Sequence, residues 1–391
     1  MRIPMKRIGG FVLGVVLSAS VLAGEKEVLL RVSNASNFER SAELVTVKWS
    51  ALQQKLPGLT AVSVAIYERN GTHPLTSQVI DYDQDGTPEE VVFHADFKSR
   101  QTKEYIVREN PGGAQQATSL TFAGFMVPRE DLAWENDRIA FRMYGPAMAK
   151  DVNNGIDVWT KRVRYLIVKK WYAGEEQEPK LSYHEDHGEG ADYFSVGRTL
   201  GVGASSLVKG DSLYQPGVFQ KYRIIATGPL VTIFELTYSP VVYEGNTITQ
   251  VVRISLPAVT NLNKIETTFS SENGKGRVPF AAGVVRRKGT STLSDKNKGW
   301  IALWGLTTEK EEVGYLGTAL VMPRKSVVRM KETNVHALIL GNAELGKPVT
   351  YYAGAGWTLS GDFATADSWR AYLSALSQRI ASPLTVNVLT R

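Results

Sequence analysis

The chain contains no cysteine in 391 residues, and it has only five histidines. Without cysteine there is no disulfide framework, no thiol nucleophile and no thiolate metal ligand. The sequence also lacks a P-loop, a dinucleotide-binding fingerprint, a GxSxG elbow and an HExxH helix. These absences argue against a nucleotide-dependent enzyme and against a serine hydrolase.

Long apolar runs are missing after the first residues. A basic segment opens the chain, an apolar run extends from Ile8 to Leu22, and the small residues Ala23 and Gly24 follow. This order predicts a signal peptide over residues 1–23, because the run is shorter than the roughly 20 residues that span a bilayer. A membrane anchor is the alternative interpretation. We expect a periplasmic or secreted protein whose mature chain has no membrane span.

The positive charge is modest. The formal net charge is +6, and cleavage would remove three basic residues and leave +3. Proteins that bind nucleic acid usually concentrate basic residues on one surface, so we expect no nucleic-acid partner. A mild positive excess is compatible with an acidic ligand.

Short alternating or apolar runs, bounded by Gly, Pro, Asn and Asp, dominate the sequence after residue 24. This pattern predicts an all-β protein. We expect a small β-sandwich over residues 24–112 and a large β-sandwich over 113–391 that carries the site. The turn-rich segment 109–114 would connect them. One C-terminal helix is predicted from helical spacing between Trp369 and Ile380, with Thr365 or Asp367 as its cap.

An acidic turn offers carboxylates at alternate positions around Gly86. Calcium requires several oxygen ligands of this kind. The candidate ligands are Asp81, Asp83, Asp85 and Glu89. An ordinary exposed turn is the alternative, because Asp and Gly are common in turns.

The segment WENDRIAFRMYGPA begins at Trp134 and has polar and apolar residues in alternation. Interpreted as one strand, it places five side chains on one face. These are Trp134, Asn136, Arg138, Arg142 and Tyr144. Such a set suits a wet, sugar-binding surface, since arginine grips carboxylates and aromatic rings can stack on sugars. A solvated face with internal ion pairs is the alternative.

Two further segments carry candidate chemistry. In GIDVWTKRV, the side chains of Asp157, Trp159 and Lys161 share a strand face and are candidates for substrate binding. A surface ion pair beside a core tryptophan is the alternative. In YHEDHGEGADYF, two histidines stand three residues apart among carboxylates and glycines. The catalytic candidates are His184 and His187 as proton acceptors, and Tyr183, Tyr144 and Tyr193 as proton donors. A metal site and a structural turn are the alternatives for this loop.

These segments, together with DYDQDGTPEEVVF, resemble the uncharacterised family DUF4861 over nearly the whole chain after the leader. The resemblance implies an exported bacterial protein associated with degradation of pectin, ulvan and related uronate polysaccharides. It also implies a large β-sandwich similar to that of galactose mutarotase and several polysaccharide lyases.

The function expected from residues and resemblance together is β-elimination on uronic-acid oligosaccharides, by a lyase or a dehydratase that leaves a 4,5-unsaturated sugar. Arg138 and Arg142 would neutralise the substrate carboxylate, and no cofactor is required. A mutarotase, an epimerase or a glycoside hydrolase on the same surface, using His187 with Glu189 or Asp157, is the first alternative. Non-catalytic glycan binding is the second.

Overall fold

The computed structural model describes residues 27–110, 117–272 and 274–390. The predicted signal peptide lies outside these residues, as do residues 111–114 of the predicted connector. No helix within the described ranges is both long and apolar enough to cross a membrane. Export and the domain boundary near residue 112 therefore remain predictions.

Two small sheets near the N-terminus pack face to face. Their elements are β1 Glu27–Ser33, β2 Arg40–Lys48, α1 Trp49–Gln53, β3 Val64–Glu68, β4 Ser77–Ile80, β5 Glu90–Phe97 and β6 Thr102–Glu109. β1, β6 and β3 belong to one sheet, and β2, β5 and β4 form the other. Alternate residues of β1, such as Leu30, point into a core shared with Trp49, Phe93 and Tyr105. Burial of this shared apolar surface holds the two sheets together.

A five-stranded sheet follows. Its elements are β7 Thr121–Met126, β8 Asp131–Asn136, β9 Ala140–Met143, β10 Ile156–Lys161, α2 Val168–Glu176 and β11 Gly190–Ala191. The strand order is β11-β10-β9-β8-β7. One face packs into the large core through Phe141 and Val158. The opposite face, called the covered face below, packs under α2 and residues 181–189, called the histidine loop, through Trp159, Trp171 and Tyr183.

The rest of the described chain builds the large sandwich. Its elements are β12 Val202–Lys209, β13 Ser212–Tyr214, β14 Phe219–Ala226, β15 Val231–Tyr238, β16 Val241–Tyr243, β17 Asn246–Pro257, β18 Leu262–Ser271, β19 Arg277–Val285, β20 Ser291–Asp295, β21 Trp300–Leu306, β22 Tyr315–Val321, β23 Arg329–Glu332, β24 His336–Glu344, β25 Pro348–Trp357, α3 Ala366–Ala381 and β26 Thr385–Thr390. A five-stranded sheet, β13-β12-β19-β24-β23, faces a nine-stranded sheet, β14-β15-β17-β18-β25-β22-β21-β20 with β16 paired to β17. Their inward residues form one core.

The C-terminal helix α3 covers the outer face of the nine-stranded sheet. Trp369 and Leu373 are fully buried there against Trp300. Thr365 caps the helix by accepting from the backbone N–H of Ser368. After α3 the chain returns, and β26 pairs antiparallel with β1, so the first sheet contains both ends of the described chain. The all-β sandwich prediction and the C-terminal helix are confirmed, whereas α1 and α2 were not predicted.

Candidate functional site

Residues 134–144 form a hairpin rather than one strand. β8 ends at Asn136 and β9 begins at Ala140, and Trp134 lies opposite Phe141 while Ala133 lies opposite Arg142. The intervening turn shifts the alternation by one residue, so Trp134 and Arg142 point to opposite faces of the sheet. The prediction of a single polar face is therefore wrong.

Trp134 and Asn136 have structural contacts in place of the predicted sugar contacts. Trp134 is fully buried, stacks on Phe141 at 5.5 Å between ring centres, and donates its indole N–H to Asn263 at 2.7 Å. Asn136 is also fully buried, and its amide donates to the backbone oxygens of Pro257 and Thr260. Neither side chain is accessible to a ligand, because each is enclosed by the core.

Arg138 lies in the hairpin turn, away from the covered face. Its guanidinium donates to Asp137 at 3.1 Å and also pairs with Asp362. Asp362 is bound in turn by both terminal nitrogens of Arg164. Arg138 and Arg142 therefore do not form the predicted pair around one substrate carboxylate.

The strand-face prediction for β10 is confirmed, but the face is buried. Lys161 donates to Glu135 and to the backbone oxygen of Asn136, both at 2.7 Å. Burial lowers the pKa of Lys161. The Glu135 carboxylate also accepts from the first backbone N–H groups of α2, including that of Val168. Lys161 thus fixes α2 through Glu135, and substrate binding by Lys161 is excluded by its burial.

Trp159 is the centre of an aromatic stack under the histidine loop. It is fully buried and lies 5.5 Å from Trp171 and 4.7 Å from Tyr183, measured between ring centres. The Arg142 guanidinium carbon lies 5.1 Å from the Trp159 ring centre. Trp159, a predicted substrate-binding residue, therefore stacks on internal rings and supports Arg142.

Arg142 is surrounded by three aspartates and two tyrosines, a group called the arginine cluster below. Its Nη2 donates to Asp157 at 2.6 Å, to Asp192 at 2.8 Å and to Tyr144 at 2.7 Å. Its Nη1 donates to the Tyr183 phenol at 3.0 Å and lies 3.8 Å from Asp131. The complete cluster consists of Asp131, Arg142, Tyr144, Asp157, Tyr183 and Asp192. Asp157 is fully buried, so its predicted direct contact with substrate is also wrong.

The cluster has more carboxylates than cations, and this imbalance favours bound protons. Burial raises the pKa of Asp131 to about 6. Burial, followed by the neighbouring charge of Asp157, raises the pKa of Asp192 well above its usual range. One oxygen of Asp131 and one of Asp192 are buried without a hydrogen-bond partner. Near neutral pH, the cluster therefore retains protons that ordinary aspartates would release.

The two tyrosines of the cluster remain protonated as well. Burial is the first cause that raises the pKa of Tyr144 and that of Tyr183. The Tyr144 phenol donates to Asp157 at 2.8 Å. The Tyr183 phenol oxygen accepts from Arg142. If either proton is given up, the adjacent guanidinium stabilises the phenolate that results.

The two histidines of the loop differ in their partners. His184 is exposed, and its Nδ1 lies 3.2 Å from the backbone oxygen of Asp192 and 3.5 Å from its carboxylate. His187 is also exposed, but its Nε2 lies 3.1 Å from the backbone oxygen of Ser182. Only His184, of these two, is joined to the arginine cluster.

The histidine loop is held by its own polar groups. The Asp186 carboxylate accepts from the backbone N–H groups of Gly188 and Gly190. Gly190 has φ +110°, and a Cβ there would lie 2.1 Å from the Thr160 backbone oxygen.

Tyr193, the fifth catalytic candidate, packs near Trp357 at 6.1 Å between ring centres. Its contact with Trp357 does not join it to Arg142.

An open pocket of about 430 Å³ separates α2 from the histidine loop. Its lining includes Tyr165, Lys170, Trp171, Tyr183, His187 and Glu189. The Glu189 carboxylate accepts from Lys170 at 2.6 Å and from the Trp171 indole at 3.0 Å. The Tyr183 side chain therefore borders both this pocket and the arginine cluster.

The acidic turn near the N-terminus brings three of its four predicted ligands together. Oxygen atoms of Asp81, Asp83 and Glu89 all lie within 4.8 Å of one another. Asp85 is outside this triad, and its carboxylate accepts from the backbone N–H of Thr87. The set consists of hard oxygen donors, which fits calcium better than a softer transition metal.

Comparison with known proteins identifies the family. A family described as a domain of unknown function, DUF4861, matches residues 32–386. The chain belongs to the DUF4861 family. "Uncharacterized protein P7" of Formosa agariphila is 32% identical over 379 residues, which cover 92% of this chain and 93% of that protein.

The DUF4861 fold is similar to a solved structure from Enterococcus faecalis, described as a protein in glycosyl hydrolase family 38. The TM-score is 0.51, the identity is 9%, and the match covers 94% of this chain. The match covers 48% of the E. faecalis chain, so this protein spans about half its length. At this identity the likeness concerns the fold alone.

Several residues of the candidate site were not predicted from the sequence. Arg129 lies in the turn between β7 and β8, and Asp131 begins β8 directly after that turn, where charged residues are usually solvated. Tyr172 donates to Asp131 at 2.9 Å from α2, a helix that was not predicted. A usable signal was present, because Val168, Trp171 and Tyr172 have the spacing of one helix face.

The raised pKa of Asp131 generates a prediction about stability. A carboxyl whose pKa rises on folding contributes stability that is complete below about pH 4 and is lost as pH rises through about 6. Asp131→Asn removes this titration and retains an acceptor for Tyr172. The wild type should lose this stability between about pH 4 and pH 7, whereas the variant should not. The free energy of unfolding of Asp131→Asn minus that of wild type should therefore increase by up to about 3 kcal/mol over this range.

Urea unfolding at both pH values measures this change. Asp151→Asn, at an exposed aspartate, is the matched control and should show little difference between the two pH values. An equal effect of Asp131→Asn at both pH values would contradict the buried, protonated carboxyl.

Proposed function

We propose that this DUF4861 protein is an exported carbohydrate-active enzyme that acts on uronic-acid-containing oligosaccharides by β-elimination. The observation that carries the proposal is the contact of His184 with Asp192, whose carboxylate also binds Arg142 beside the Tyr144 and Tyr183 phenols. A proton acceptor and two proton donors thus meet around one buried guanidinium. The family of the solved neighbour, glycosyl hydrolases, adds support at the level of fold.

The proposed reaction begins at C5 of the uronate. With Nδ1 directed to Asp192, His184 presents Nε2 to the solvent side and takes the C5 proton there. The electron pair of the broken C5–H bond forms the C4–C5 double bond, and the C4–O4 bond breaks. O4 leaves with a proton from Tyr144, whose side chain is partly exposed, or from Tyr183, whose ring is buried but borders the open pocket. Arg142 stabilises the resulting phenolate.

The substituent on O4 decides which enzyme class this chemistry represents. If O4 joins another sugar, the reaction cleaves the glycosidic bond and the protein is a lyase. If O4 is a free hydroxyl, the reaction expels water and the protein is a dehydratase. The location that we propose for either activity is the periplasm or the exterior of the cell, after removal of residues 1–23.

The two histidines provide a matched pair of variants. His184→Ala should lower kcat by about 10²–10⁴ with little change in KM, because the proton acceptor is lost. His187→Ala should retain most of the activity, since the His187 ring contacts a backbone oxygen of its own loop rather than the arginine cluster. The measurement is ultraviolet absorbance of the new conjugated double bond during incubation with oligouronides.

Other outcomes separate the alternatives. New reducing ends without new absorbance would indicate a glycoside hydrolase, and a change of anomeric ratio alone would indicate a mutarotase. Binding without turnover would leave glycan capture. Loss of activity in His187→Ala but not in His184→Ala would contradict the assignment of His184 as the proton acceptor.

We further propose that Asp81, Asp83 and Glu89 bind calcium. Calcium at about 100 times its dissociation constant should raise the free energy of unfolding by about 2.7 kcal/mol. EDTA should reverse this gain. Asp83→Asn keeps the turn contact with the backbone N–H of Asp85 but loses a charged ligand, so it should weaken the calcium effect. An equal melting temperature with calcium and with EDTA would favour an ordinary turn.

A further inference from the structure

Arg129 occupies the turn between β7 and β8, at the edge of the arginine cluster. Its guanidinium carbon lies 5.5 Å from the centre of the Tyr183 ring. Asp131, two residues along the chain, is a member of the cluster. Arg129 therefore stands beside the proposed proton donor, although its own side chain is 38% exposed.

The other arginines around this site already have close acidic partners. Arg142 binds Asp157 and Asp192, Arg138 binds two aspartates, and Arg162 lies 2.6 Å from Asp186. Arg129 faces Glu175 at 3.7 Å, a distance beyond hydrogen-bond length. Glu175 is itself bound more closely by Lys180, at 2.5 Å. The forked donor face of Arg129 is thus the least occupied of these four.

Charge gives a reason for a cation at this position. The cluster contains three aspartates and one arginine, so any carboxylate charge that its bound protons leave in excess would repel an acidic sugar that approaches Tyr183. Elimination also requires a cation on the substrate carboxylate, because neutralising that charge makes the C5 proton acidic. Arg142 is buried and saturated, and it is therefore unable to supply this contact.

The distances from Tyr183 set an upper limit on the separation of His184 and Arg129. The His184 and Tyr183 ring centres are 4.7 Å apart, and Arg129 is 5.5 Å from the same Tyr183 ring centre. The imidazole and the guanidinium are therefore no more than about 10 Å apart. Two polar contacts of about 3 Å each, with the C5 carbon and its carboxyl group between them, fit within this limit.

We propose that Arg129 binds the carboxylate of the acidic sugar and selects acidic over neutral oligosaccharides. This inference rests on the proposed function and names the residue that sets its substrate class. A guanidinium offers two parallel donors to a carboxylate, so Arg129→Lys should recover only part of what Arg129→Met loses.

The test measures turnover and calorimetric binding of an oligouronide and of the same oligosaccharide with its carboxyl groups reduced to alcohols. Arg129→Met should lower kcat/KM and affinity for the oligouronide roughly tenfold to hundredfold, as expected for loss of a charge-assisted pair. Affinity for the reduced oligosaccharide should stay within about twofold, because it has no carboxylate to lose. Melting temperatures establish that each variant is folded.

Two controls separate a specific contact from a structural role. Arg253→Met removes a similarly exposed arginine that pairs with Glu235 on the nine-stranded sheet. This variant should bind and turn over both oligosaccharides as wild type does. Glu175→Gln removes the distant partner of Arg129. If Arg129 served only to hold Glu175, this variant would reproduce the loss seen in Arg129→Met; as a carboxylate ligand, Arg129 should bind the oligouronide at least as well in Glu175→Gln.

The outcomes distinguish this inference from the proposed function. If wild type binds the oligouronide without turnover and Arg129→Met loses this binding, the result supports the carboxylate contact and contradicts the proposed enzymatic function. If wild type catalyses elimination and Arg129→Met retains the full activity and the same preference for acidic over neutral oligosaccharides, only the inference about Arg129 is overturned. Absence of both binding and turnover in wild type overturns both.

Discussion

A buried guanidinium holds the covered face together. Arg142 binds Asp157 and Asp192, reaches toward Asp131 and contacts two phenols, all in a region from which water is largely excluded. An isolated buried charge is costly, and removal of one partner from such a group leaves the others uncompensated. Each neighbour of Arg142 therefore has a restricted position, and burial raises the pKa of Asp131, of Asp192 and of the two tyrosines. The candidate chemistry follows from both effects.

The fold supplies this arrangement from three directions. β9 and β10 place Arg142 and Asp157 directly opposite each other in an antiparallel pair. The histidine loop brings Tyr183, and the chain beyond β11 brings Asp192. Helix α2 closes the face, and its first turn is fixed by Glu135 and Lys161. A change that moved α2 would expose the cluster to water and weaken the interactions that shift its proton affinities.

How much of this was predictable depended on the continuity of each strand. Asp157, Trp159 and Lys161 share a face because β10 is uninterrupted, and the alternation rule sufficed. The rule failed for residues 134–144, where the chain turns after Asn136. The signal for that turn was in the sequence, since Asn136 and Asp137 are residues that favour turns. The terminal helix α3 was predicted because its helical spacing extends over many residues.

The burial of these side chains was harder to predict than the strand face on which they lie. A set of arginine, aspartate and tyrosine side chains has the composition of a solvated surface. These side chains are buried because helix α2, which was not predicted, and the histidine loop cover them. The partners of each charge also come from distant parts of the chain. Arg142 and Asp192, for example, are 50 residues apart in sequence. Local patterns contain no information about such contacts, so the members of the site were only partly identified.

The most direct test of the central claim is a crystal structure of the His184→Ala variant with an oligouronide bound. We expect a sugar ring above Tyr183, with C5 facing position 184, O4 near the Tyr183 or Tyr144 phenol, and the carboxylate on the Arg129 side. An oligouronide bound only at the hairpin turn around Arg138, or only in the pocket beside His187, would contradict the assignment of the chemistry to the arginine cluster.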